Sequence, residues 1–266
     1  MNRRKQLEVQ EKQRNHRRKI FLQRISAFII SIIIIIVGIL VYFHVSNSSI
    51  NTSNLPITAT SISWGSLTKI SDYSSANVII YYFSWYGCPI GATDSWEVFN
   101  VLSNYGNITD YVSIHYSDPN DLYPNTPGLI FTGSFTVSGI SFVPVYVYNQ
   151  YMNATTSGKY ISSQNLLSKG ISEINSTVPH SIAYFEYYAM FVTPTSYFGK
   201  PSGIENGHIN TNIIIVRSNG TWILNGPLFN PLDLAGLNPT ALLHDPESNS
   251  HIAEASQTLL GVIKNR

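Results

Sequence analysis

The chain has 266 residues, a formal net charge of +1 and only 12% charged residues, and Cys88 is its one cysteine. A single cysteine excludes an internal disulfide, so the folded state must be stabilised by its apolar core. Nine of the sixteen Lys and Arg residues lie within residues 1–24. Basic tails sometimes bind nucleic acid, but beside an apolar segment this tail is better explained by membrane topology. No nucleic-acid partner is therefore expected.

Residues 25–45 form an apolar stretch without Asp, Glu, Lys or Arg, which is long enough to cross a bilayer as a helix. The stretch exceeds the apolar core of a cleavable signal peptide, and Tyr42-Phe43-His44 at its end lacks the small residues of a cleavage site. We therefore predict an uncleaved transmembrane helix that binds the chain to the cell membrane. The positive-inside rule places residues 1–24 in the cytoplasm and the C-terminal part outside.

The remainder is predicted to be a spacer over residues 46–62, rich in Ser, Thr and Asn, and an extracytoplasmic domain over residues 63–266. Seven basic and thirteen acidic residues give the chain after residue 45 a formal charge of −6. Low charge content of this kind suits a hot, acidic exterior, in which carboxyl groups are partly neutral. Six Asn-x-Ser/Thr sequons make the outer part a candidate glycoprotein. Their asparagines are Asn47, Asn51, Asn107, Asn153, Asn175 and Asn219.

The first half of the domain shows strand and helix patterns in alternation. The uncharged β-branched and aromatic run 77–83 predicts a buried strand, and the apolar spacing in 92–102 predicts a helix. Further strands are predicted at 111–116, 129–132 and 141–149. Pro144 within the last of these predicts an edge position, a bulge or a cis peptide bond.

The second half continues with helices and one clear hairpin. The amphipathic pattern of 160–176 predicts a short helix, whereas the aromatic segment 181–192 fits either a helix or a strand. The apolar runs 212–217 and 221–224 flank an Asn-Gly turn and predict a β-hairpin. The last helices are predicted at about 239–244 and 248–263.

This order of elements predicts an α/β fold. A strand, a helix and a strand, followed later by a hairpin and a final helix, match a thioredoxin-like fold with an insertion between its halves at about residues 151–207. Another small α/β sheet would also fit the pattern. The predicted fold is preceded by the transmembrane helix described above.

Cys88 lies between the strand 77–83 and the helix 92–102, in Trp85-Tyr86-Gly87-Cys88-Pro89-Ile90-Gly91. This is the layout of a thioredoxin-type active site, in which a helix N-terminus lowers the pKa of the thiol. Such a site normally has a second cysteine three residues on, where this chain has Gly91. Without it, a mixed disulfide could be released only by an external thiol. Cys88 is thus either a single-thiol nucleophile or a buried remnant that packs as a small hydrophobe.

The chain resembles an archaeal family of membrane-anchored, thioredoxin-like proteins, catalogued as domain of unknown function family 929. The resemblance runs from about Ile79 to the C-terminus. The segments that carry it are Tyr86 to Pro89, Trp96, Leu102 to Asn107, Asp121 to Pro127, Ser141 to Val145 and Asp233 to Leu237. Family members have a second cysteine at the position of Gly91. The resemblance implies a thioredoxin-like fold, an extracytoplasmic location and possible disulfide chemistry, without an established substrate.

The resemblance also bears on the residues around Cys88. Thioredoxin folds place a cis-proline before the hairpin, facing the cysteines, and here Thr211 stands before the hairpin and Pro144 is the second candidate. The candidate peptide-binding residues are therefore Trp85, Tyr86 and Pro89 beside the cysteine, together with Pro144 and Thr211. The aromatic members of this region fit a ligand groove and also fit the core.

No phosphate loop, nucleotide fingerprint or metal-ligand spacing is present in the sequence, so neither a cofactor nor a metal site is expected. Two functions remain for a degenerate Cys-Pro-x-Gly site. The favoured one is binding of a peptide or protein outside the cell without catalysis, since the second cysteine is missing. The alternative is monothiol exchange, or peroxide or persulfide chemistry, through Cys88. Whether the protein is an enzyme therefore stays open, with binding preferred.

Overall fold

The computed structural model describes residues 57–264, in which a mixed sheet is covered by helices. The strands are β1 (Leu67–Ser71), β2 (Val78–Ser84), β3 (Val112–Tyr116), β4 (Pro127–Phe131), β5 (Phe135–Val137), β6 (Ile140–Tyr146), β7 (Asn212–Arg217) and β8 (Gly220–Asn225). The helices are α1 (Pro89–Ser103), α2 (Leu166–Thr177), α3 (His180–Phe191), α4 (Ser202–Asn206), α5 (Pro239–His244) and α6 (Ser250–Lys264). The predicted mixed α/β class is confirmed.

The main sheet has six strands in the order β1-β8-β7-β2-β6-β5. Strand β2 pairs in parallel with β6 and antiparallel with β7, and β7 and β8 form the predicted hairpin around the two-residue loop 218–219. The strand predicted at 111–116 forms as β3, but it pairs with β4 in a separate two-stranded sheet. Because β3 is largely exposed and polar, it does not suit a sheet interior, and β6 takes the position parallel to β2.

Both faces of the main sheet are buried. Successive side chains of a strand point to opposite faces, and in β2 Tyr82 packs into one core while Phe83 packs into the other. Helices α1 and α6 supply apolar residues to the first core, and α2 and α3 supply them to the second. The segment 181–192, ambiguous in the sequence, is therefore a helix that covers the sheet. Burial on both faces explains why β2 carries no charge.

Pro144 lies in β6 opposite Tyr82 of β2. Strand β5 pairs only with residues 140–142 of β6, so the other side of β6 is a free edge at Pro144. Residues 57–264 contain no cis peptide bond. Of the three alternatives given by the sequence, the edge position is the one observed, as expected for a residue that lacks a backbone N–H.

The predicted tail 1–24, the predicted transmembrane helix 25–45 and most of the spacer 46–62 lie outside the described residues. Within residues 57–264, no helix combines the length and the apolar character needed to cross a bilayer.

Three carboxyl groups are buried in the two cores. Asp94 and Glu97 lie on α1 and Glu186 lies on α3, and each side chain is at most 1% exposed. Burial raises the pKa of all three groups, and it raises the pKa of Glu186 to about 8 although Asn212 Nδ2 donates to its Oε1 at 2.7 Å. The repulsion between Asp94 and Glu97 raises the pKa of Glu97 further. The interior of the domain thus holds carboxyl groups in their neutral form.

These buried carboxyls predict a domain that is most stable in acid. A folded-state pKa above the unfolded value means that the folded chain keeps a proton that the unfolded chain releases, so stability falls as pH rises toward the folded pKa. For Glu186 the loss should run from about pH 4.5 to about pH 8, at up to about 1.4 kcal/mol per pH unit. Urea unfolding of the full-length chain between pH 4 and pH 8.5 measures this slope.

The Glu186→Gln variant should lack the part of the pH dependence of the unfolding free energy that Glu186 causes, because glutamine is neutral at every pH. Glu254→Gln, on the exposed side of α6, is the matched control and should leave the slope unchanged. An unfolding free energy that stays constant or rises between pH 5 and pH 8 in the parent chain would contradict the prediction.

Candidate functional site

Cys88 occupies the N-cap of α1, four residues beyond the end of β2 at Ser84. Its backbone N–H donates to the Trp85 carbonyl at 3.1 Å, and its carbonyl accepts from the Ala92 N–H at 2.8 Å. Pro89 follows at the first helical position, where its fixed φ suits the start of a helix and its missing N–H costs nothing. The cysteine is only 6% exposed. The tight turn 85–88 therefore holds the thiol beneath the surface.

The thiol is held in its protonated form. Burial raises the pKa of Cys88 to about 11, and the negative charge of Asp121 acts in the same direction. Thr211 Oγ1 donates to Cys88 Sγ at 3.1 Å, and this bond and the first N–H groups of α1 favour the thiolate. Together they lower the pKa of Cys88 by less than burial raises it. The pKa shift is thus opposite to the one that a helix N-terminus gives in a reactive thiol site.

Hydroxyl groups fill the space beside Gly91. A Cβ atom on Gly91 would lie 2.1 Å from Ser84 Oγ and 3.1 Å from both Thr211 Oγ1 and the Tyr82 hydroxyl. Ser84 Oγ and Thr211 Oγ1 are hydrogen-bonded at 2.9 Å, and the Tyr82 hydroxyl donates to the Gly91 carbonyl at 2.5 Å. Gly91 is therefore required by close packing of α1 against β2 and the start of β7.

Two cavities adjoin Cys88. The smaller has a volume of about 10 Å³, room for about one water molecule, and lies against Ser84, Tyr86, His115 and Tyr146. The larger has a volume of about 390 Å³. We call it the Cys88 cleft; its aromatic lining residues are Trp64, Trp85, Tyr123, Tyr197 and Phe198, and its polar lining residues include Asp121, Asn206, His208, Asn210 and Thr211.

The aromatic wall of the Cys88 cleft is built from two distant segments. Trp64 stacks on Tyr197 with ring centroids 5.4 Å apart, and Phe198 meets Trp64 edge-on at 5.3 Å. The backbone N–H of Trp64 donates to Ser196 Oγ at 2.8 Å, which fixes the two segments together. Tyr197 is 70% exposed, so this wall is accessible to a ligand.

The polar floor of the cleft contains two buried donors that lack partners. Asn210 is 7% exposed, and its Nδ2 has no hydrogen-bond partner among residues 57–264, although its Oδ1 accepts from Asn206 Nδ2 at 2.9 Å. Trp85 is 2% exposed, and its Nε1 is likewise unpartnered in the described part of the chain. Buried polar atoms are usually paired, so these two are suited to ligand acceptors.

His208 and Asp121 complete the floor. Burial lowers the pKa of His208, whose Nδ1 lies 2.9 Å from the Ile209 carbonyl. Burial also raises the pKa of Asp121, and nearby Asp118 adds to that rise. The Asp118 N–H donates to the Gly87 carbonyl at 2.8 Å, so this acidic turn is attached directly to the cysteine loop.

The structure brings together three of the five predicted binding residues. Trp85, Pro89 and Thr211 line the Cys88 cleft with the cysteine. Tyr86 lines the smaller cavity instead, where its ring packs 5.0 Å from Tyr146. Pro144 lines neither cavity. Of these residues, Thr211 contacts the cysteine directly, through the hydrogen bond from its Oγ1 to Cys88 Sγ.

Sequence reasoning missed most of the cleft. Several lining residues of the cleft come from loops that meet only in the folded chain. These residues are Trp64, Asp121, His208, Asn210 and Tyr197. The available signal was the presence of large aromatic residues in polar loops, but periodicity does not reveal such residues. Of the sequons, Asn47 and Asn51 lie outside the described residues, and the other four are exposed. These four are Asn107, Asn153, Asn175 and Asn219.

A family model described as Domain of unknown function (DUF929) matches residues 66–265. The chain belongs to this family. The match includes the whole main sheet and every residue of the Cys88 cleft except Trp64. A search of curated proteins and a search of solved structures each found no match.

This chain should not tolerate a side chain at position 91, because Ser84 lies where the new Cβ would be placed. Gly91→Ala is expected to cost about 1–3 kcal/mol of unfolding free energy, because the new Cβ overlaps Ser84 Oγ. Gly261→Ala is the matched control within a helix, since nothing lies within 4 Å of that position, and it should stabilise by up to about 1 kcal/mol. Urea unfolding of the full-length variants measures both.

Ser84→Ala removes the overlapping oxygen. Combined with Gly91→Ala, it should cost clearly less than the sum of the two single changes. Strict additivity, or a Gly91→Ala variant as stable as the parent, would show that the packing described around Gly91 is incorrect.

Cys88 should be almost inert toward alkylation in the folded chain. With a pKa of about 11, the thiolate fraction at pH 8 is on the order of one in a thousand, and burial blocks access as well. We expect iodoacetamide to react at least a hundredfold more slowly with the folded chain than with the same chain in denaturant. A fast reaction with a midpoint below pH 8.5 would contradict this.

Proposed function

We propose that the chain is a membrane-anchored extracytoplasmic protein whose thioredoxin-like domain binds a peptide or protein segment in the Cys88 cleft without redox catalysis. The observation that carries the proposal is the pairing of a buried, protonated thiol with an open cleft beside it. The thiol is buried and protonated, whereas the cleft beside it is open to a ligand.

Strand order supports the thioredoxin-like part of the proposal. β6, β2, β7 and β8 lie side by side, with β6 parallel and β7 antiparallel to β2. Helices α1 and α6 pack into the same core on one face. A β-α-β unit joined to a β-β-α unit gives this arrangement. Residues 147–211 connect the two units and contain the insertion that we infer at about 151–207.

The cleft has the properties of a ligand site. Its volume of about 390 Å³ falls within the range of small-ligand and side-chain pockets, and aromatic walls with a few fixed polar groups are typical of such sites. Thr211, at the entry to β7, places the end of this strand next to the cysteine. An extended segment lying across the cleft would contact the aromatic wall and the polar floor together.

Monothiol chemistry through Cys88 is the second candidate. The specific observation in its favour is the hydrogen bond from Thr211 Oγ1 to Cys88 Sγ, which would stabilise a thiolate once formed. Cys88 also lines the cleft, so a bound ligand disulfide, peroxide or persulfide would lie next to the thiol if binding uncovered it. The alkylation rate described above separates this candidate from simple binding.

The proposed location follows from the sequence. Residues 25–45 would anchor the chain in the cell membrane, residues 1–24 would lie in the cytoplasm, and the DUF929 domain would lie outside. The four exposed sequon asparagines of the domain would be available for glycosylation in that compartment.

A library of immobilised, cysteine-free peptides tests the binding function with the full-length chain in detergent. We expect selected peptides to bind equally with and without reductant. Tyr197→Ser should weaken their binding at least tenfold, because Tyr197 forms the exposed part of the aromatic wall. Tyr160→Ser is the matched control, since Tyr160 is 77% exposed and lies outside the cleft. The absence of any bound peptide, or equal losses in both variants, would overturn the proposal.

A further inference from the structure

The Cys88 cleft carries one unbalanced charge. Asp121 is the only acidic residue among its lining residues, and no Lys or Arg lines it. The ion pairs among residues 57–264 join Lys69 to Asp72, Lys200 to Glu205 and His251 to Asp233, so none of them involves Asp121. The cleft therefore presents a carboxyl group that no Lys or Arg of the described chain pairs with.

The surroundings of Asp121 fix the direction of its carboxyl group and place a second acid beside it. Asp118 lies in the same turn and is likewise absent from the ion pairs of the described residues. Burial and Asp118 raise the pKa of Asp121, whereas the Leu122 N–H, which donates to its Oδ1 at 2.6 Å, favours the charged form. A ligand cation beside Asp121 would favour the charged form in the same way. His208 also lines the cleft, and burial lowers its pKa.

The unpartnered donors supply an independent indication of the ligand. Asn210 and Trp85 line the cleft, and Asn210 Nδ2 and Trp85 Nε1 are buried without an acceptor in the described chain. A buried donor without an acceptor is destabilising, and a ligand carbonyl toward which either side chain turned would relieve this. A peptide backbone provides such carbonyl groups at regular intervals. The ligand must therefore combine hydrogen-bond acceptors with a group that complements Asp121.

The aromatic wall selects the kind of cation. Trp64 and Tyr197 present stacked rings at the opening, and a planar guanidinium stacks on aromatic faces and is less strongly hydrated than an ammonium. Arginine also forms bidentate hydrogen bonds with a carboxylate, which lysine does not.

We infer that the Cys88 cleft binds an extended segment of a partner protein that carries an arginine, with the guanidinium paired to Asp121 and backbone carbonyls accepting from Asn210 and Trp85. This inference rests on the proposed peptide-binding function and names its ligand class. It predicts that affinity depends on one positive charge and falls with salt.

The test uses the full-length chain in detergent and fluorescent nine-residue peptides with a central arginine. The comparison peptides are identical except that citrulline, a neutral isostere, or glutamate replaces the arginine. We expect the arginine peptides to bind at least tenfold more tightly than the citrulline peptides by fluorescence anisotropy. Asp121→Asn should abolish this preference, whereas Asp110→Asn, which changes an exposed acid outside the cleft, should retain it.

The ligand-side comparison keeps the test decisive even if Asp121→Asn fails to fold. Citrulline or glutamate peptides that bind the parent chain as tightly as arginine peptides would overturn the inference while leaving peptide binding intact. Failure of every peptide to bind, in this set and in the library, would overturn both the inference and the proposed function. A preference for arginine that survives in folded Asp121→Asn would overturn the assignment of Asp121.

Discussion

The contact between Ser84, Thr211 and Cys88 is the interaction on which the site depends. It joins the end of β2, the entry to β7 and the start of α1 through two consecutive hydrogen bonds of 2.9 and 3.1 Å. Each of these atoms is buried, so the bonds are protected from competition by solvent. The position of the thiol, the closure of the space at Gly91 and the edge of the cleft all follow from this one arrangement.

Burial has the same effect on several groups of the domain. Cys88, Asp94, Glu97 and Glu186 all lie in the interior, and burial favours the neutral form of each. A fold that requires neutral carboxyl groups is suited to acidic surroundings, which agrees with the low charge content of the sequence. Asp121 at the cleft follows the same direction, since burial raises its pKa, although the N–H groups of Leu122 and Tyr123 oppose the rise.

The sequence predicts the parts of the fold that have a local cause. Three elements could be predicted from local sequence alone. They are β2 with its uncharged run, the start of α1 with the proline after Cys88, and the hairpin β7–β8. The partner of β2 was not predictable, because β3 and β6 have similar strand signals and only burial distinguishes them. The Cys88 cleft was only partly predictable, because Asp121, Asn210 and Tyr197 meet through loops whose path depends on tertiary packing.

The hydroxyl of Ser84 also determines how readily this site could change its chemistry. Since it occupies the space of a Cβ on residue 91, a cysteine introduced there would be strained until residue 84 also changed. A side chain at position 91 and the hydroxyl at position 84 therefore compete for the same space. What residue 91 can be thus depends on residue 84, so the two positions can change freely only together.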